Sequence, residues 1–165
     1  FGQGASYWYA AGALVDYGGR DSYQGVWYVQ GSSAHYAVAA LCDIGGADTY
    51  RATHTQSQGH GHDYSTGVLY DQSGNDTYRG GGNRLGSAVW NGIGLFRDCA
   101  GDDTYKGDAS FGKAGRCRKK HLCMGLFLDE GGDDEFPGGQ PRDGGTWTNE
   151  PPKNRPRAYG AGAAQ

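Results

Sequence analysis

Short apolar runs of a few residues recur along the chain, each ending on an aspartate and followed by a glycine turn. After the turn comes an alternating run of the form Asp-Ser/Thr-Tyr/Phe. Period-two alternation bounded by turn glycines predicts strands. No segment carries a sustained 3.6-residue apolar pattern, so no helix is expected anywhere.

The pattern is a repeat. Five segments align without gaps: Asp16–Tyr23, Asp43–Tyr50, Asp71–Tyr78, Asp98–Tyr105 and Asp129–Phe136. Their consensus is D-x-x-G-x-D-[ST]-[YF], with Glu135 as the exception at the hydroxyl position, and the leading Asp recurs after 27, 28, 27 and 31 residues. Two residues before it stand Leu14, Leu41, Leu69, Phe96 and Phe127, and further back Gln3-Gly4, Gln30-Gly31 and Gln58-Gly59 open three of the units. A unit this short cannot bury its own apolar face, but stacked units bury a continuous column. The expected fold is therefore all-β, a parallel β-solenoid of about five coils. Residues 1–138 would form the five-repeat solenoid and residues 139–165, which lose the repeat and are rich in Gly and Pro, an extended tail. With strands about 4.8 Å apart the rod would be roughly 20–25 Å long. An antiparallel alternative built of propeller blades is disfavoured, because a blade needs about 40 residues.

Composition agrees with this reading. The chain has 165 residues, of which 32 are Gly and only 5 Pro, so neither a collagen nor a helical bundle fits. No stretch approaches the ~20 apolar residues of a membrane span. The net charge of −3 argues against a nucleic-acid partner. The sequence starts without Met or a leader and almost at a repeat boundary, which suggests a processed or partial chain whose first coil is covered by upstream residues or by another subunit.

Stacking places ten aspartates in two vertical columns. The first holds Asp16, Asp43, Asp71, Asp98 and Asp129; the second holds Asp21, Asp48, Asp76, Asp103 and Asp134. Like charges opposed across strands destabilise a sheet, and cations between coils would offset that repulsion. Calcium takes six to eight hard oxygen ligands in flexible geometry, which suits such columns. Two other readings stand beside it: aspartates that cap turns through backbone N–H groups without metal, and a different cation. The run D-x-[GSA]-G-x-D-x-[YF]-x also resembles the calcium-binding nonapeptide repeats of RTX proteins. Gly19, Gly46, Gly74, Gly101 and Gly132 match the third glycine of that motif, and the second Asp and aromatic columns match its Asp and large apolar positions. The resemblance implies a β-roll in which aspartates and turn carbonyls hold Ca²⁺ between neighbouring coils.

Other chemistry is secondary. His54, His60, His62 and Asp63 lie in one unit with an H-x-H spacing that suits a transition metal, or simply a polar surface column. Trp8, Tyr36 and Trp90 are candidates for stacking on sugar rings, although aromatic residues are also good strand formers. Cys117 and Cys123 flank a basic loop and are candidates for a disulfide in an oxidising compartment; Cys42 and Cys99 occupy different columns and could stay as buried thiols. Every Asp of the repeat motif belongs to a periodic column, and Ser32 and Ser33 have no base-and-orienter pattern, so no catalytic residue is expected. The expected role is an extracellular or cell-surface, calcium-binding structural, adhesive or filament-forming solenoid, with self-association or a larger assembly as its partnership. A carbohydrate-binding module and a fragment of a polysaccharide-active enzyme are the alternatives.

Overall fold

The computed structural model describes residues 2–118, 121–139, 141–149 and 158–165. Each of the first four coils contributes one strand to each of three sheets, and the fifth contributes strands to two of them. The narrowest sheet stacks β1 (Ser6–Tyr7), β4 (Ser33–Ala34), β7 (Gly61–His62), β10 (Ala88–Val89) and β13 (Ala114–Gly115). The widest stacks β2 (Ala11–Asp16), β5 (Val38–Asp43), β8 (Thr66–Asp71), β11 (Ile93–Asp98) and β14 (Cys123–Asp129). The third stacks β3 (Ser22–Gly25), β6 (Thr49–Ala52), β9 (Thr77–Arg79) and β12 (Thr104–Lys106). All these neighbours are parallel, and the chain is an all-β solenoid of about five coils. Among the described residues the one helical feature is a 3₁₀ turn at Pro137–Gly139, and no helix is long and apolar enough to cross a membrane.

The register aligns like with like. Leu14, Leu41, Leu69, Phe96 and Phe127 form one ladder, and Tyr23, Tyr50, Tyr78 and Tyr105 another, extended in the fifth coil by Phe136 stacked 4.8 Å from Tyr105. Together they make the core, with Leu41, Leu69, Phe96, Phe127, Tyr50 and Tyr78 fully buried. Successive tyrosine rings lie 4.8–5.2 Å apart in near-parallel planes, so each coil is held by the ring above and below.

The Gln-Gly openers are corners. At Gly31 the backbone is left-handed (φ +74°) and a Cβ would stand 1.8 Å from the carbonyl oxygen of Val68. Gln30 is fully buried, and its amide donates to the carbonyls of Tyr23 and Arg51, one in the preceding coil and one in its own. Gln58 does the same for Tyr50 and Arg79. In the fourth unit the sequence reads Arg84-Leu85-Gly86, and the buried guanidinium of Arg84 donates to Gln58 Oε1 and to the carbonyls of Lys106 and Asp108.

The segment after residue 138 does not simply run off. Its last strand, β16 (Ala158–Ala164), pairs in parallel with β14, and β15 (Thr146–Asn149) closes the sheet antiparallel to β16. The Ala and Gly residues of β16 leave room for Trp147, whose ring lies 5.7 Å from Phe127 and whose indole N–H donates to the carbonyl of Phe111. The apolar column is thus covered at this end by the chain itself.

Candidate cation columns

The first aspartate column lies at the end of the wide strands and the second immediately before β3, β6, β9 and β12, so each turn is framed by two carboxylates. In eight of the ten, one oxygen is consumed locally. Oδ1 of Asp16, Asp43, Asp71 and Asp98 accepts the N–H two residues on, at 3.1–3.3 Å, an Asx turn. In the second column Oδ1 of Asp48, Asp76, Asp103 and Asp134 accepts the N–H of the aspartate one coil earlier, at 2.6–2.8 Å. The motif glycine permits the close wrap: a Cβ on Gly46 or Gly74 would stand 2.6–2.7 Å from Oδ2 of the aspartate two residues on.

The remaining oxygens point inward. In the first column they meet tyrosine hydroxyls. Tyr50 Oη lies 3.0 Å from Asp43 Oδ2 and 2.6 Å from Asp71 Oδ2, and Tyr78 Oη lies 3.0 Å from Asp71 Oδ2 and 2.6 Å from Asp98 Oδ2. A phenol has one proton to donate, so it cannot serve both carboxylates at once. In the second column Oδ2 of Asp48, Asp76, Asp103 and Asp134 is buried and receives no protein donor, and Asp129 Oδ1 shares that state. Asp43, Asp71, Asp98 and Asp129 are fully buried, and Asp48, Asp76 and Asp103 are 1–2 % exposed.

Buried carboxylates without counter-charge are costly, and the cost appears as proton affinity. Desolvation, reinforced by neighbouring carboxylates, pushes Asp48 up to about 6, Asp103 to about 7, Asp76 and Asp129 to about 8 and Asp98 to about 11. Asp71 and Asp134 move the same way, also chiefly through burial. The columns therefore demand positive charge, as protons or as metal ions.

Three groups have ligand atoms within 4.8 Å of one another: Asp43, Asp48 and Asp71; Asp71, Asp76 and Asp98; Asp103, Asp129 and Asp134. Each spans two adjacent coils. Of the ten aspartates, Asp16 and Asp21 in the first coil join no such group. All donors are carboxylate oxygens, a set that suits a hard cation rather than a transition metal.

The ring of His62 lies 5.6 Å from that of His35 and 6.2 Å from that of His60, but the three do not bring their nitrogens together on a common point. Among the described residues no metal-ligating group contains a histidine. His60 is buried with Nδ1 2.7 Å from Ser87 Oγ, and desolvation pushes it down to about 3; His62 pairs with the Tyr28 hydroxyl, and His35 Nδ1 lies 2.7 Å from Asp63 Oδ2. Arg118 binds the other Asp63 oxygen at 2.7 Å.

Trp8, Tyr36 and Trp90 stand at the corner between the narrow and wide sheets, where the backbone is left-handed. Trp8 stacks on His35, Tyr36 lies between Tyr9 and Tyr64 with planes within 5°, and Trp90 lies under Arg118. Both faces of Tyr36 are covered by neighbouring tyrosines, so it offers an edge to solvent rather than a flat platform. Cys117 and Cys123 are joined by a disulfide. Lys119 and Lys120 of the basic loop lie outside the described residues. Cys42 and Cys99 are free and half-buried instead of fully enclosed, because both sit on strand or turn positions that face outward.

Sequence reading missed the hydroxyls that bridge the first column. The aromatic column was legible only as packing, although four of its five members are Tyr rather than Phe, and that bias is the mark of a buried hydrogen-bonding role.

Comparison with known proteins returns no match: no family model, no curated protein and no solved structure is similar to this chain.

Proposed function

We propose that this chain is an extracellular structural solenoid that holds calcium ions between its coils, as an adhesive or filament-forming module. The observation that carries the reading is the row of buried Oδ2 atoms of Asp48, Asp76 and Asp103, which receive no protein donor and lie beside first-column carboxylates. A cation bridging them would replace the missing hydrogen bonds and cancel the repulsion between coils. Three carboxylates per group leave the rest of a calcium shell to water and turn carbonyls, the composition of a moderate-affinity site suited to extracellular calcium. The resemblance of the repeat to RTX nonapeptides and the disulfide support the same reading.

Self-association is part of the proposal. Strands β1, β2 and β3 are edge strands of their sheets among the described residues, and such an edge takes a further strand.

The test is thermal unfolding followed by circular dichroism, in excess chelator and then in millimolar calcium at pH 7.5. A melting transition that rises by 10 °C or more with calcium, and does not rise with sodium at the same ionic strength, is expected, by linkage to binding of the folded state at roughly 100-fold over Kd or more. An identical transition in chelator would reduce the aspartates to turn caps.

A further inference from the structure

The third sheet carries a feature that neither the calcium columns nor the core uses. Its outward positions form two parallel columns. In one, Ser22, Thr49, Thr77 and Thr104 are in register; in the other, Gln24, Arg51, Arg79 and Lys106. Arg51, Arg79 and Lys106 are exposed, stacked at the strand spacing of about 4.8 Å. No acidic side chain pairs with any of them among the described residues, where the ion pairs are His35–Asp63, Arg97–Glu130 and Arg118–Asp63. Like charges directly opposed across strands are destabilising, yet the register keeps three of them in line.

The surface beside them is hollow. Arg51, Ala52, Thr53, Arg79, Gly80, Gly81 and Gly107 line an open groove of about 400 Å³. Its glycines remove the side chains that would otherwise fill it.

We propose that this strip binds an anionic polysaccharide, laid along the solenoid axis with its carboxylates or sulfates against Arg51, Arg79 and Lys106 and its hydroxyls against the threonine column. A glycan with one anionic group per sugar presents charge at about the interval of one coil. The aromatic side chains of these strands, Tyr23, Tyr50, Tyr78 and Tyr105, are buried, so the strip offers no ring on which a nucleic-acid base could stack. The net charge of −3 also opposes a long, densely charged polymer anywhere but on this strip. The strip is bounded at the fifth coil, where Glu135 takes the threonine position and Pro137 follows Phe136. This inference is independent of the calcium reading.

The experiment compares retention of the folded chain on immobilised dextran sulfate, polygalacturonate and neutral dextran, in one calcium-containing buffer, with folding confirmed by circular dichroism. The expected result is binding to both anionic polymers and none to neutral dextran. Affinity should fall as salt rises. The Arg51→Gln/Arg79→Gln variant should bind about tenfold more weakly, since each lost cation removes one released counterion. Arg97→Gln/Arg142→Gln, which removes the same charge elsewhere, should bind within about twofold of the native chain by the same screening argument. Unchanged binding by Arg51→Gln/Arg79→Gln overturns the proposal. Equal affinity for a thymidine oligonucleotide of matched charge overturns it too, by making the strip a general polyanion track.

Discussion

Seven of the ten column aspartates divide their two oxygens between two tasks: Asp43, Asp71 and Asp98 in the first column and Asp48, Asp76, Asp103 and Asp134 in the second. Oδ1 shapes the turn or ties one coil to the next through a backbone N–H, while the other oxygen faces inward to a phenol or to no protein donor. Turn capping and cation binding are therefore compatible, since they use different atoms. The inward oxygens make the cation-free protein sensitive to pH with a definite sign. An unfolded aspartate titrates near 3.9, whereas Asp48, Asp103, Asp76 and Asp129 are pushed up to about 6, 7, 8 and 8 by burial. The folded chain thus binds more protons than the unfolded chain between these values, and stability falls as pH rises. In chelator, the melting temperature is expected to be highest near pH 4 and to drop steadily toward pH 8. Saturating calcium should flatten or reverse that slope, because the metal takes the place of the protons. A melting temperature in chelator that rises from pH 4 to pH 8 would contradict the assignment of these carboxyls as buried and uncompensated.

At the level of strands and turns, the period and the apolar ladder were readable because every coil repeats the same physics at the same interval. Leu41 above Leu69 and Tyr50 above Tyr78 follow directly from alignment of the repeats. What was not readable lies where the repeat is broken. The chain end looks structureless in Ala158–Ala164, since Ala and Gly carry no apolar signal, yet that smallness is what lets Trp147 cover Phe127. Arg84, one residue before the Leu85 that replaces Gln30 and Gln58 in their column, is fully buried and spans coils through its guanidinium, which the repeat alignment alone does not reveal. The metal groups follow the same logic. The columns were visible as spacing, but that Asp16 and Asp21 fall outside every group, and that tyrosine hydroxyls sit between the first-column carboxylates, depends on side-chain direction. Corners are the most constrained part of an element. Gly31→Ala would drive a Cβ into the Val68 carbonyl at a left-handed φ, and is expected to cost about 3 kcal/mol or more. Gly81→Ala, where nothing lies within 4 Å, should change stability by less than about 0.5 kcal/mol. Chemical denaturation of the two variants checks the pair, and equal effects would show that the corners are not close-packed.

The whole molecule is a one-dimensional stack in which each coil contacts only its neighbours, so its stability is a sum of interfaces. Ion binding at one interface then steadies the coils on both sides, and Asp71 has particular weight because it belongs to two of the three carboxylate groups. The same stacking presents the outer columns as rulers, carboxylates inside and cations on the third sheet, each repeated at the coil interval. A solenoid of this kind has a periodic surface as well as a periodic core. The proposed polysaccharide strip uses the outer ladder without disturbing the inner one, since Arg51 and Arg79 contribute only backbone carbonyls to the buried Gln30 and Gln58.

The most direct test of the central claim is calorimetric titration of calcium into the metal-stripped chain at pH 7, repeated in two buffers of different ionisation enthalpy and on Asp71→Asn. The three carboxylate groups predict saturable binding of three ions, with release of protons from the inward carboxyls. Asp71→Asn, which breaks two of those groups, should retain one. Absence of saturable binding, or the same stoichiometry in Asp71→Asn as in the native chain, would contradict the account.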